Sequence, residues 1–178
     1  MGFEAAIGSS ASQLRDADAV LLPGVGNFSA ASRNLASLRE EILDKIKTGT
    51  PVLGICLGMQ LLYSESEEGE GMGLETFQGK NIRLPDSVKV PHMGWNTLNV
   101  LKQEALLEDI ENGSYVYFVH SYFPVPTDRE TVAAETTYGV TFPSVVQETN
   151  VHGTQFHPEK SGECGSKILA NLLEIVRR

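Results

Sequence analysis

The sequence predicts an α/β protein of three layers: a mostly parallel central sheet with helices on both faces. Three observations lead there. Two continuous apolar runs, Ala19-Val20-Leu21-Leu22 and Val52-Leu53-Gly54-Ile55-Cys56, have the character of strands buried on both sides. A stretch with helical period lies between them, and a second apolar stretch follows the later run. Strand, helix, strand, helix in this order is the pattern of βαβ units, whose strands run parallel.

Taken in order, residues 3–7 form a short apolar-rich stretch with the composition of a strand. The run at 19–22 is closed by Pro23-Gly24. Over residues 29–47, Leu35, Leu38, Ile42 and Ile46 share one stripe of a helix. Gly49 stands where a glycine terminates a helix, and Pro51 follows. Met59, Leu61, Leu62 and Tyr63 predict a helix after the second strand. Residues 114–120, 131–135 and 144–155 are rich in Val, Thr, Tyr and Phe, and read as antiparallel or mixed strands at the back of the sheet. Residues 165–176 close the chain as a helix with Ile168, Leu169, Leu172, Leu173 and Val176 on one face. Arg177 and Arg178 complement the negative end of its dipole.

Composition sets limits on function. The 178 residues fit one domain, 1–178, long enough to bury a core without staples. With 14 Lys+Arg against 23 Asp+Glu the net charge is −9, which opposes encounter with nucleic acid or an anionic membrane. No apolar run approaches the roughly 20 residues of a membrane helix, and Met1-Gly2-Phe3-Glu4 is not the start of a signal peptide. Two cysteines, Cys56 and Cys164, are too few for a disulfide framework and suit a reducing, cytoplasmic setting. The acidic run Glu65-Ser66-Glu67-Glu68-Gly69-Glu70 reads as a solvated loop.

Chemistry concentrates in two strings. Gly54-Ile55-Cys56-Leu57-Gly58 places a thiol in a G-x-C-x-G turn between a buried strand and a helix. Glycines on both sides let strand and helix approach closely around a strained nucleophile. The helix N-terminus favours thiolate, and the Leu57 N–H is placed to meet an oxyanion. The bland alternative is that Cys56 is a small buried apolar residue. A thiol nucleophile needs a base and the base an orienting acceptor. Of His92, His120, His152 and His157, the last stands in Gln155-Phe156-His157-Pro158-Glu159, where one short loop carries imidazole and carboxylate together. A capped loop histidine is the alternative there, and His152 reads as structural.

With their neighbours, these strings resemble class I (triad-type) glutamine amidotransferases. The match rests on Pro51-Val52-Leu53-Gly54-Ile55-Cys56-Leu57-Gly58-Met59-Gln60 and on Gln155-Phe156-His157-Pro158-Glu159. Within that family the chain is similar to the glutaminase subunits of imidazole glycerol phosphate synthases. Pro23-Gly24-Val25-Gly26-Asn27-Phe28, Pro91-His92-Met93-Gly94-Trp95-Asn96 and Tyr117-Phe118-Val119-His120-Ser121-Tyr122 carry that finer similarity, which runs from about residue 2 to the C-terminus.

The resemblance implies a flavodoxin-like fold and a set of roles. Cys56 would attack the amide of L-glutamine, His157 would move protons, and Glu159 would orient the imidazole. The Leu57 N–H and the Gly24-Val25-Gly26 segment would hold the oxyanion, the glycines permitting a peptide flip at Val25. Gln60 and Glu68 would bind the α-carboxylate and α-ammonium ends, and His120, Ser121 and Tyr122 would line the pocket. Ammonia would pass to a (βα)8-barrel synthase subunit met by Trp95, Asn96 and Lys160; core packing is the alternative for Trp95. No cofactor or metal is implied.

Relatives carry a strand, a D-Y-G-x-G-N motif and a helix before the segment matching Gly2-Phe3-Glu4-Ala5-Ala6, so the fold is expected to lack that first strand and helix. A stand-alone γ-glutamyl hydrolase, or a binding subunit with an incomplete oxyanion hole, are the competing functions.

Overall fold

The computed structural model describes residues 4–8 and 10–178. Phe3 lies outside the described residues; residues 4–8 are exposed and form no strand. The chain enters through helix α1 (Ala11–Arg15) and strand β1 (Val20–Leu22). Two helices follow, α2 (Phe28–Ala36) and α3 (Arg39–Lys47), then β2 (Val52–Ile55) and the short α4 (Leu57–Gln60). Strands β3 (Gly79–Arg83), β4 (His92–Thr97), β5 (Asn99–Val100), β6 (Tyr115–His120), β7 (Tyr122–Pro126), β8 (Val132–Tyr138), β9 (Val140–Glu148) and β10 (Val151–Thr154) lead to α5 (Gly162–Val176).

Six strands form the central sheet in the order β1-β2-β10-β9-β8-β5. The β1–β2 and β2–β10 pairings are parallel. The β10–β9, β9–β8 and β8–β5 pairings are antiparallel. The expectation of a mostly parallel sheet therefore holds for the half built from βαβ connections, while the other half is a meander and makes the whole sheet mixed. Small two-stranded sheets, β3–β7 and β4–β6, flank it. Two core clusters cover its two faces. Ile168 and Leu172 of α5 join Leu53, Phe118 and Ala134 on one side. Phe28, Leu35 and Ile42 of α2 and α3 join Met59, Val146 and Val151 on the other.

The sequence predicts one helix over 29–47; the structure has two, broken at Ser37-Leu38. Leu38 N–H bonds the Leu35 carbonyl at 2.9 Å and Ile42 N–H bonds the Leu38 carbonyl at 3.0 Å, a tight turn that restarts the helix. Arg39 pins the restart, donating to the Gly73 carbonyl at 3.1 Å and pairing with Glu75 at 3.1 Å. The apolar stripe survives: Leu35 and Ile42 are buried, with Leu38 and Ile46 packed against them. The stretch 144–155 also divides, at Thr149 and Asn150. Thr149 has φ 51°, and the Asn150 amide donates to the Ile46 and Thr50 carbonyls at 3.0 and 2.7 Å. The predicted helix at Met59–Tyr63 shrinks to the single turn of α4, though all four named residues there are buried.

His152 lies in β10, buried, with both ring nitrogens unpaired. Burial pushes its pKa down to about 4. The unfolded chain takes up this proton below about 6.5, so stability falls as pH drops from there toward 4. Burial pushes His92 down to about 4 and His120 to about 3, so both act in the same direction. Thermal unfolding at pH 7 and 4.5 is expected to show this loss, and His152→Leu should remove roughly 2 kcal/mol of it. An unchanged difference between the two pH values would place the acid sensitivity elsewhere.

Candidate active site

The three parallel strands end at one edge of the sheet, and each delivers a loop there. Strand β1 leads into Pro23–Gly26, β2 into Cys56, and β10 into residues 155–159. Ligand sites of open α/β sheets lie beyond these carboxyl ends, because that is where loops from neighbouring parallel strands converge.

Cys56 occupies the turn between β2 and α4 at φ 53°, ψ −105°, a conformation in which L-residues are strained. The Cys56 N–H bonds the Thr154 carbonyl at 2.7 Å, and its carbonyl accepts from Gln60 N–H at 3.1 Å. The flanking glycines have the predicted steric purpose. A Cβ on Gly54 would sit 2.6 Å from the Gly58 carbonyl, and one on Gly58 only 1.6 Å from the Leu22 carbonyl oxygen. Gly24 abuts the same turn: a Cβ there would meet Leu57 Cβ at 2.9 Å. Gly26 has φ 110° with open space around it, and Val25 is 79% exposed. The segment expected to complete the oxyanion hole thus lies against the elbow.

The thiol is not a preformed thiolate. Burial pushes the Cys56 pKa up to about 11, with the Glu159 and Glu68 carboxylates adding to the rise. The Leu57 N–H and the Gln155 side chain work against it. The expected helix-dipole effect is outweighed because α4 is one turn long and Cys56 is almost fully buried. At rest Sγ donates to the Val119 carbonyl at 3.6 Å and accepts from Gln155 Nε2 at 3.7 Å.

His157 follows β10, with its N–H on the Tyr117 carbonyl at 2.9 Å and its carbonyl accepting from Ser161 Oγ at 2.7 Å. Its Nδ1 donates to Glu159 Oε1 at 2.8 Å. That bond fixes the tautomer and leaves the lone pair on Nε2, which is buried and has no hydrogen-bond partner. A base with its orienting carboxylate and a vacant acceptor nitrogen is therefore built from one loop.

A pocket of about 290 Å³ opens on Cys56. Gly24, Val25, Gly26, Leu57, Gln60, Glu68, His120, Ser121 and Tyr122 line it. The structure thus gathers the nucleophile and every residue predicted for oxyanion and substrate contact into one cavity. Glu68 also accepts from the Phe28 N–H at 2.6 Å, at the start of α2. Gln60 Nε2 donates to the Tyr122 carbonyl at 2.7 Å and to Gln155 Oε1 at 3.3 Å. Sequence reasoning assigns no role to Pro91, Val119 or Gln155. Pro91 and Val119 line the pocket and Gln155 touches the nucleophile.

Trp95 is 55% exposed on β4 and stands edge-on to Tyr117, 5.9 Å between ring centres. Core packing is therefore not its role. Met93 and Tyr115 are exposed beside it on the β4–β6 sheet. Lys160 is exposed just after the His157–Glu159 loop. Asn96 is tied inward, its Nδ2 on the Thr137 carbonyl at 3.1 Å.

The chain matches the model of the glutamine amidotransferase class-I family over residues 5–175. It is 48% identical over 178 residues to imidazole glycerol phosphate synthase subunit HisH of Methanothermobacter thermautotrophicus, covering 99% of this chain and 89% of the relative. The subunit HisH of Archaeoglobus fulgidus is 46% identical over 180 residues, covering 100% and 89%. Among solved structures, a putative GMP synthase protein from Thermoplasma acidophilum superposes with TM-score 0.74 over 94% of this chain and 77% of its own. A structure described as a glutamine amidotransferase gives 0.75 over 99% and 88%. At 22% and 20% identity these two speak for the fold alone.

Proposed function

The chain belongs to the glutamine amidotransferase class-I family, and from that premise we infer that it is the glutaminase subunit of an imidazole glycerol phosphate synthase, serving histidine biosynthesis in the cytoplasm. The observation that carries the chemistry is a strained, glycine-flanked thiol lining a pocket at the end of β2, while the loop after the paired strand β10 carries a histidine whose tautomer is fixed by a carboxylate.

Glutamine enters with its side-chain amide toward Cys56. Gln60 and Glu68 hold the α-carboxylate and α-ammonium ends, and His120, Ser121 and Tyr122 line the pocket. His157 Nε2 takes the thiol proton as sulfur attacks the amide carbon. The carbonyl oxygen becomes an oxyanion, met by the Leu57 N–H and an N–H of the Gly24–Gly26 segment. His157, held by Glu159, gives the proton to the departing nitrogen. Ammonia leaves a γ-glutamyl thioester, and water activated by the same histidine releases glutamate. A thiol held near 11 makes this slow in the isolated chain.

Ammonia then passes to a separate (βα)8-barrel subunit. Trp95 and Lys160 supply the contact surface, with exposed Met93 and Tyr115 extending its apolar part, while the Asn96 side chain turns inward beneath it.

Glutamate release, measured with the chain alone and with a barrel subunit carrying its nucleotide ligand, tests both halves. Turnover is expected to be low alone and to rise at least about 100-fold with the liganded partner, a coupling at the upper end of ordinary allosteric range. High partner-independent turnover would instead show a stand-alone γ-glutamyl hydrolase. No turnover under either condition would show a binding subunit.

A further inference from the structure

Behind the pocket wall runs a hydrogen-bond chain of which the reaction scheme uses only His120. It begins at Asn96, whose Oδ1 accepts from the Thr97 N–H at 2.8 Å. That contact fixes the amide, so Nδ2 faces the Thr137 carbonyl and His92 Nε2, the latter at 3.4 Å. His92 Nδ1 lies 3.0 Å from His120 Nε2, and His120 Nδ1 lies 3.0 Å from the Tyr122 carbonyl.

A carbonyl can only accept, and each neutral imidazole has one donor and one acceptor. His120 must therefore carry its proton on Nδ1, which makes its Nε2 an acceptor. His92 must then donate from Nδ1, and its Nε2 accepts from Asn96. The direction of every bond follows from the fixed end. Both rings are buried, and His92 stacks between Tyr138 at 4.0 Å and Phe118 at 4.8 Å.

The same Tyr122 carbonyl accepts from Gln60 Nε2, which also donates to Gln155 Oε1. That bond settles the Gln155 amide: its oxygen faces Gln60, so its Nε2 faces Cys56 Sγ at 3.7 Å. The reverse orientation would set two oxygens, or two N–H groups, against each other in a buried site.

We propose that Gln155 is a further catalytic residue, donating an N–H to the Cys56 sulfur as its proton leaves, and that His120 and His92 are positioning residues that anchor the Tyr122 carbonyl on which the Gln60 and Gln155 amide orientations depend. The inference rests on Cys56 being the nucleophile of a glutaminase. The groups that oppose thiolate at this sulfur are Glu159 and Glu68, and those that face it with N–H are Leu57 and Gln155. Removing the Gln155 donor leaves only the backbone one.

The test is the rate of Cys56 alkylation by iodoacetamide from pH 7 to 10, followed by the mass of its peptide in the full chain. Gln155→Glu replaces the donor with a carboxylate oxygen of the same shape. It is expected to slow alkylation about tenfold at fixed pH, one pKa unit of thiolate. It should lower kcat for glutamine about as much, with KM within twofold. His92→Phe keeps the stacked ring but leaves His120 without its donor. A smaller slowing, about threefold, is expected, and His92→Gln, which can donate and accept, should restore the wild-type rate.

A wild-type alkylation profile in Gln155→Glu would overturn the proposal. If that variant does not fold, the His92 pair decides: His92→Phe equal to wild type, or slowed without recovery in His92→Gln, would overturn it. Alkylation needs neither glutamine nor a partner. Shifted alkylation in a chain with no glutaminase activity, alone or with the liganded barrel subunit, would refute the proposed function and with it the catalytic role, leaving only the Gln155 hydrogen bond to Cys56; normal turnover with unshifted alkylation would refute the role of Gln155 and leave the proposed function standing.

Discussion

Replacing Cys56 with alanine is expected to reduce glutamate release by at least about 10⁴-fold, because loss of a nucleophile that acts as a unit with its base removes most of the catalytic gain. The fold should survive the change. The side chain lost is small, and the close approaches that shape the turn are made by glycines and backbone, not by sulfur. Alanine keeps the same strained φ of 53°, so Leu57 and the start of α4 stay where they are. The exposed β4–β6 surface lies on separate strands and is untouched. Binding to the barrel subunit, measured by titration calorimetry, should therefore match wild type while turnover is lost. Retained turnover would refute the nucleophile assignment. Loss of both would mean that the substitution acts through folding, which the unfolding temperature would reveal.

The elbow is legible in the sequence because its constraint is local. Five residues, Gly54 to Gly58, carry the nucleophile, the two steric vacancies and the oxyanion donor. The His157–Glu159 pair is legible for the same reason, since one proline-bent loop holds both groups. Elements whose form depends on distant partners are not. The break between α2 and α3 has no glycine or proline to mark it, and the groups that pin it, Gly73 and Glu75, lie more than thirty residues on. The antiparallel half of the sheet is legible in kind, as the antiparallel or mixed strands expected there, but the division of 144–155 into β9 and β10 is not, because the Asn150 amide that holds it bonds the Ile46 and Thr50 carbonyls about a hundred residues away. The state of the thiol is misjudged from sequence because a local feature, the helix end, is weighed there without the burial imposed by the whole pocket. Gln155 is silent in the sequence because its meaning lies in Gln60, Tyr122 and Cys56, which meet it only in three dimensions.

Gly58→Ala is expected to be the most disruptive single methyl in the chain's catalytic half. The added carbon would stand 1.6 Å from the Leu22 carbonyl oxygen and 2.7 Å from its carbon. Neither atom can step aside easily. Leu22 ends β1 and is held in register against Gly54 of β2. The other route is for α4 to move away from β1 by more than about 1 Å, which drags Leu57 and its N–H with it. Stability should fall by at least about 3 kcal/mol, the upper range for overpacking. For a domain of this size that lowers the unfolding temperature by roughly 6–12 °C. A displacement near 1 Å at the oxyanion donor should separately cost about 100-fold in kcat/KM, read below the new unfolding temperature. Gly113→Ala separates clash from backbone strain. Gly113 has φ 86° and open space around it, so a Cβ there meets no atom within 4 Å. Only the strain of a positive φ remains, about 1 kcal/mol, with turnover unchanged. Gly58 lies in α4 without a positive φ, so equal losses in the two variants would mean that β1 and α4 yield to the added methyl and that the close contact does not make glycine necessary there. A large loss confined to Gly58→Ala would show that strand, helix and nucleophile are held by one close approach, so that catalytic geometry and stability fail together.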